Sequence, residues 1–263
     1  MNVFCNVHHF LYSRKVDDGY ATRHSIILKL LMTDTQFNAR KNTASTFTEW
    51  LREQNQDNWN AAINHRFIDE LFAGTVAEDV LQHYLVQDYQ FIDRFVALLG
   101  AAIASADRFE SRVRLARFAA MITSDENTYF LRAFDELGTA AKHRTAPQLT
   151  APTKAFQDLM AEAAESRIYP LCLSVLVVAE WLYLSWADRP NATLPERFIH
   201  AEWITLHNNP AFAEFISWLR SELDRTGAAL DADGQARSAD MFGRAVKLER
   251  EFFDHVYTPL QYS

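Results

Sequence analysis

Residues 168–187 read Ile-Tyr-Pro-Leu-Cys-Leu-Ser-Val-Leu-Val-Val-Ala-Glu-Trp-Leu-Tyr-Leu-Ser-Trp-Ala, twenty residues whose only charge is Glu180. Length and polarity alone would let this run cross a membrane. Three features argue for the buried central helix of a helical bundle instead. Glu180 stands well inside the run, where an ionised group in a bilayer is costly, Pro170 lies near its start, and the chain has no second run like it. The fold class expected from this stretch is therefore all-α.

The rest of the chain agrees. Seven Gly and seven Pro in 263 residues leave too few turn formers for a many-stranded β fold. Apolar spacing predicts helices near 45–64, 77–105, 109–138, 152–168, 171–188, 195–206, 209–227 and 234–257. Breaks fall at Gly74-Thr75, Gly138 to Pro152, Arg189 to Pro195, Asn208 to Pro210 and Asp231 to Gly234. No interdomain linker, repeat or low-complexity tract interrupts residues 46–263, which read as one domain. Residues 1–45 lack a sustained period and read as a loosely ordered arm, with Met32 an alternative translation start.

Charge and cysteine usage limit the function classes. Lys and Arg total 26 against 34 Asp and Glu, a formal charge of -8, which disfavours nucleic acid as a partner. Cys5 and Cys172 are too few for a disulfide framework or a cysteine metal cage. With no secretory pattern near the start, cytoplasm is the expected compartment and a membrane is not an expected partner.

Carboxylates on apolar helix faces carry the chemistry. At about 100° per residue, Asp88 falls in a stripe with Leu81, Tyr84, Phe91, Ile92, Phe95 and Leu99. Glu180 aligns with Leu173, Leu176, Tyr183 and Ala187, and Glu249 with Phe242, Ala245, Phe252 and Val256. Glu126 is a weaker case on a more charged helix. One inward acid can simply bind a Trp, Tyr or Arg in the core, but acids from separate helices meeting in one pocket would hold at least one proton near neutral pH.

Competing motifs are thin. A di-metal carboxylate bundle would supply Glu-x-x-His pairs, and none of the nine histidines has a Glu three residues before it. Asp79/His83, Glu196/His200 and Glu251/His255 read as i,i+4 surface ion pairs. His65, which precedes an amphipathic helix, reads more readily as a structural histidine than as a haem ligand, and Cys172 as a buried, inert thiol. No GxGxxG, GxxxxGK[ST] or GxSxG sequence is present.

Short motifs in a specific order then add a resemblance. They are Asn64-His65-Arg66-Phe67, Gly74-Thr75, Tyr84-Leu85-Val86-Gln87-Asp88-Tyr89, Tyr169-Pro170, Ala179-Glu180-Trp181-Leu182-Tyr183, and Leu248-Glu249 with Phe252-Phe253. Over about residues 47–257 the chain resembles the TenA family, also called thiaminase II or aminopyrimidine aminohydrolase, of haem-oxygenase-like helical fold. One type of that family has a cysteine nucleophile where this chain has Ala179, and the other has a glutamate one residue later, matched by Glu180. Phe91 and His207, where the cysteine type has tyrosines, point the same way and argue against efficient thiamin cleavage.

The resemblance implies thiamin salvage: hydrolysis of 4-amino-5-aminomethyl-2-methylpyrimidine, or its N-formyl derivative, to the 5-hydroxymethyl pyrimidine. It implies no metal or organic cofactor, and a homo-oligomer, usually a tetramer. Asp88 is the expected anchor for the aminopyrimidine edge, Glu180 the central acid-base or nucleophilic group, and Glu249 its proton-sharing partner. Phe91, Tyr183, Tyr84, Phe252 and Glu126 complete the expected substrate contacts. The alternatives are a helical protein that binds a flat ligand without turnover, a haem or di-iron oxygenase, and a cofactorless oxidase like pyrroloquinoline quinone synthase.

Overall fold

A computed structural model describes residues 46–258, so the arm at 1–45 and the alternative start at Met32 lie outside the described residues. Among these the chain is helical and contains no strand. In order the helices are α1 (Phe47–Gln54), α2 (Gln56–Ile63), α3 (Arg66–Ala73), α4 (Glu78–Tyr89), α5 (Phe91–Ser105) and α6 (Phe109–Met121). A π-helical turn (Ile122–Glu126) leads into α7 (Asn127–Glu136). Next come α8 (Ala141–Thr145), α9 (Ala151–Ser166), α10 (Tyr169–Ala187), α11 (Phe198–Leu206), α12 (Pro210–Gly227) and α13 (Ala232–His255).

The run that decided the fold is α10, and it sits where an all-round apolar helix must, enclosed by protein. It packs against α12, α13, α5, α9 and α2. It is the only described helix long and apolar enough to cross a membrane, and 83% of that stretch is buried inside the protein. Pro170 enters at its first turn, where no intrahelical N–H is needed.

Side-chain caps set the starts of the surrounding helices. Thr150, Asn209 and Asp231 accept from the backbone N–H groups of Thr153, Phe212 and Gly234. Gly74 closes α3 in the left-handed region, at φ 66°, where its own N–H returns to Leu71 and that of Thr75 to Glu70. A Cβ there would lie 3.2 Å from Pro195 Cβ, so the position is tight as well as left-handed.

Three expected continuous helices are interrupted, each for a local reason. Asn55 separates α1 from α2, its side-chain amide donating to the Leu51 carbonyl. Gln90 separates α4 from α5: its side chain donates to the Val86 and Arg144 carbonyls, and its own carbonyl accepts from Gln157 at 2.7 Å. In the 109–138 stretch, Thr123 and Ser124 hydroxyls bond back to the Ala119 and Ala120 carbonyls, and the Asn127 N–H reaches five residues back to Ile122. This π turn inserts one residue and so rotates α7 by about 100° relative to an unbroken helix. Two short helices also lie outside the expected set of spans, α3 and α8.

A buried polar knot joins α12 to the starts of α6 and α10. Glu222 on α12, 6% exposed, accepts from Ser111 Oγ at 2.7 Å and Tyr169 OH at 3.1 Å. It also accepts from Arg225, which forks onto Asp107 with both distances 2.8 Å. Burial raises the Glu222 carboxyl, but Arg225, Ser111 and Tyr169 outweigh it and hold the group below its ordinary value. Replacing Glu222 with Ala strands three donors. Denaturant unfolding of Glu222→Ala is expected to show a loss of about 3 kcal/mol, and a loss under about 1 kcal/mol would mean the knot is decorative.

Candidate active site

A half-open pocket sits beside the middle of α10, with a volume of about 550 Å³ including the solvent at its mouth. Four carboxyl groups from four separate elements line it: Asp88 near the end of α4, Glu126 closing the π turn, Glu180 on α10 and Glu249 on α13. Among the described residues no lysine or arginine lines it. Its remaining walls are aromatic and aliphatic, with Phe91 and Phe95 on α5, Phe156 on α9, Tyr183 on α10 and Trp203 on α11.

Glu180 and Glu249 are nearly sealed, at 7% and 3% exposure, while Asp88 and Glu126 keep some contact with the cavity interior. Withdrawal from water raises all four acids. Glu126 is pushed up to about 8 by burial. Glu180 is held well above its ordinary value by burial first, then by Glu126, Glu249 and Asp88. Burial and the Asp88 charge do the same to Glu249. Asp88 is raised by burial and Glu126, against a partial offset from a hydrogen bond donated by Tyr183. Mutual repulsion in a water-poor space thus keeps protons in the cavity at neutral pH.

Among the described residues the one basic side chain on the wall is kept neutral. His207, at the end of α11, has its Nδ1 2.8 Å from the Trp203 carbonyl, and burial lowers it to about 4. The cavity therefore offers acids, acceptors and aromatic faces, a set suited to a flat molecule bearing amino groups.

Among the expected site residues, Asp88, Phe91, Glu126, Glu180, Tyr183 and Glu249 share this wall. Tyr84 and Phe252 do not line it, which corrects their expected place against the substrate. Tyr84 stands behind Tyr183, with the two hydroxyls 2.9 Å apart, and Phe252 stands behind Phe91 with ring centroids 5.2 Å apart. Both are large rings filling the next layer of the core, so a shared helical stripe with Asp88 or Glu249 did not bring them to the surface of the cavity.

Trp203, Phe156 and Met160 line the cavity without having been singled out. Phe156 and Met160 are one turn apart on α9, and Trp203 is one turn before His207, so helical spacing carried the signal. What it lacked was a charge to mark those turns. Ile92 and Phe95 were in the Asp88 stripe and also reach the wall.

The expected histidine ion pairs are overturned. His83 is buried, its Nδ1 3.2 Å from the Val256 carbonyl. His200 is buried with neither ring nitrogen bonded, because α11 begins at Phe198 and leaves Glu196 outside the helix. Glu251 pairs with Lys247 at 3.5 Å. His65 caps α3, its Nδ1 accepting from Phe67 N–H and its Nε2 3.4 Å from Asp254, away from the cavity. Cys172 is buried, and burial raises its thiol to about 11. Among the described residues no three His, Cys, Asp or Glu side chains are grouped so as to hold a metal ion.

Comparison with known proteins gives consistent results. Residues 52–258 match the family described as TENA/THI-4/PQQC. An aminopyrimidine aminohydrolase of Halalkalibacterium halodurans is 22% identical over 216 residues, spanning 81% of this chain and 96% of that protein. A second protein of that name, from Helicobacter pylori, is 22% identical over 215 residues, spanning 80% of this chain and 98% of its own length. The solved structure of a TenA homologue from Pyrococcus furiosus shares the fold at a TM-score of 0.72 and 20% identity, covering 80% of this chain and 100% of the other.

Proposed function

The chain belongs to the TENA/THI-4/PQQC family, and from that premise we propose that it is an aminopyrimidine aminohydrolase of thiamin salvage. The observation that carries this reading is the convergence of Asp88, Glu126, Glu180 and Glu249 on one aromatic-walled cavity. The substrate is 4-amino-5-aminomethyl-2-methylpyrimidine or its N-formyl derivative. Water supplies the oxygen of the 5-hydroxymethyl product, the exocyclic C–N bond breaks, and nitrogen leaves as ammonia or formamide.

The role of each residue matches what the substrate presents. An aminopyrimidine edge pairs a ring-nitrogen acceptor with an amino donor, and a protonated carboxyl offers the complementary O–H and C=O. Asp88, raised by burial, holds that form. Phe91 and Tyr183 face the ring. Nitrogen leaves only when protonated, so one carboxyl must deliver a proton there while another accepts one from the incoming oxygen. Glu180, pressed upon by three other acids, is assigned the central step, and Glu249 shares its proton. Ala179 stands where the family's thiol would be, so thiamin cleavage is expected to be slow.

On this reading residues 46–263 form one catalytic domain, cytoplasmic, working as a homo-oligomer on a small molecule without nucleic acid or membrane. Incubation with the aminomethyl pyrimidine, its formyl derivative and thiamin in parallel tests the activity. The expected result is hydroxymethyl pyrimidine by chromatography, with ammonia or formamide in equal amount. Binding of the pyrimidines with neither release would instead fit a carrier protein and end the hydrolase assignment.

A further inference from the structure

Behind the cavity wall runs a chain of hydroxyls whose direction is fixed at one end. The Trp203 indole N–H lies 3.2 Å from the Tyr84 hydroxyl, which lies 2.9 Å from the Tyr183 hydroxyl, and Tyr183 shares the cavity wall with Asp88, whose carboxyl it lowers. Three helices supply it: α11 gives Trp203, α4 gives Tyr84 and Asp88, and α10 gives Tyr183.

An indole N–H donates and cannot accept. Tyr84 oxygen is therefore the acceptor in its contact with Trp203. Its own proton has one remaining partner, the Tyr183 oxygen, because Tyr84 is 0% exposed and packed among rings, with Phe67 at 4.4 Å and Phe253 at 6.1 Å. Tyr183 then has its oxygen occupied, which leaves its proton for the cavity side, where Asp88 lines the same wall. Reversing the chain would leave the Tyr84 proton facing hydrocarbon, an unsatisfied buried donor.

We propose that Trp203 and Tyr84 are positioning residues that set the direction of this chain, so that Asp88 receives the Tyr183 proton on one oxygen and keeps the other for the ligand's ring nitrogen. The part concerning the ligand rests on the reading of Asp88 as the aminopyrimidine anchor. An Asp88 oxygen held as an acceptor cannot carry the carboxyl proton, which is then confined to the oxygen left for the ligand.

A directed chain produces an order of effects that packing alone would not. In Trp203→Phe the Tyr84 oxygen loses its donor, and Tyr183 can turn its proton to Tyr84 and away from Asp88. In Tyr84→Phe there is no hydroxyl to turn to, so Tyr183 still donates to Asp88. The double variant has the same constraint as Tyr84→Phe and is expected to repair the loss caused by Trp203→Phe.

Two measurements read this. Calorimetric titration with 4-amino-5-hydroxymethyl-2-methylpyrimidine is expected to show about tenfold weaker binding for Trp203→Phe, less than about threefold for Tyr84→Phe, and recovery toward the latter in the double variant. Carboxyl carbon-13 titration of Asp88, assigned by its loss in Asp88→Asn, needs no ligand. Its midpoint should rise in Trp203→Phe and return in the double variant, with Glu126, Glu180 and Glu249 facing it throughout. Recovery of the midpoint without any binding of the pyrimidine would support the relay and refute the anchor. Losses that multiply in the double variant, or no effect of Trp203→Phe on the midpoint, overturn the relay.

Discussion

Glu180→Gln is expected to lower kcat for the aminomethyl pyrimidine by about 10³-fold or more, with affinity for the hydroxymethyl product changed less than about threefold. Glutamine keeps the shape of the side chain and its hydrogen-bonding reach but cannot give or take a proton. Glu180 sits at the centre of α10, 7% exposed, with the other three acids of the cavity acting on it. None of them occupies its place beside Ala179. Ammonia release under saturating substrate measures the loss, and calorimetry with the product measures what remains of binding. Full turnover in the variant would remove Glu180 from the chemistry and leave Glu249 as the acid to test. A parallel loss of affinity would show that the substitution damaged the cavity and not only the proton transfer.

The positions of Asp88, Glu180 and Glu249 were legible because each lies within a regular helical turn, where 100° per residue assigns a face without knowledge of neighbours. Glu126 was harder to place for the same reason inverted. The π turn that precedes α7 breaks the period just where the residue lies, and its cause is a pair of local hydroxyls bonding back to carbonyls. Gln90 marks another limit: what splits α4 from α5 is the carbonyl of Arg144 and the side chain of Gln157, both more than fifty residues away. The depth of Tyr84 and Phe252 was likewise beyond a single-helix reading, since helix phase says which way a ring points and not how many layers lie between it and the ligand. The central helix needed none of this, because a stretch apolar on every side has only one place to go in water.

The cluster of acids also makes a stability prediction whose sign is set by where the protons are. The Glu126 carboxyl, ordinarily near 4.5, is pushed to about 8 by burial in the folded chain. Between those values the folded state binds a proton that the unfolded state has released, so stability is intact below 4.5 and declines as pH rises toward 8. His207 acts on the other side: burial lowers it to about 4, so the unfolded chain takes up its proton first and stability falls as pH drops from about 6.5. The two limbs are separable by substitution. Glu126→Gln should leave the acid limb in place and reduce the alkaline one, to which Asp88, Glu180 and Glu249 also contribute, giving a melting temperature close to the parent at about pH 5 and about 5 °C higher at about pH 8. It should also ease Asp88 and Glu180, which both feel the Glu126 charge. Calorimetric melts across that range check it, and parallel curves for parent and variant would mean that Glu126 does not hold a proton in the folded chain. A gain in stability accompanied by slower hydrolysis would identify the strained acid as something the fold tolerates for its chemistry.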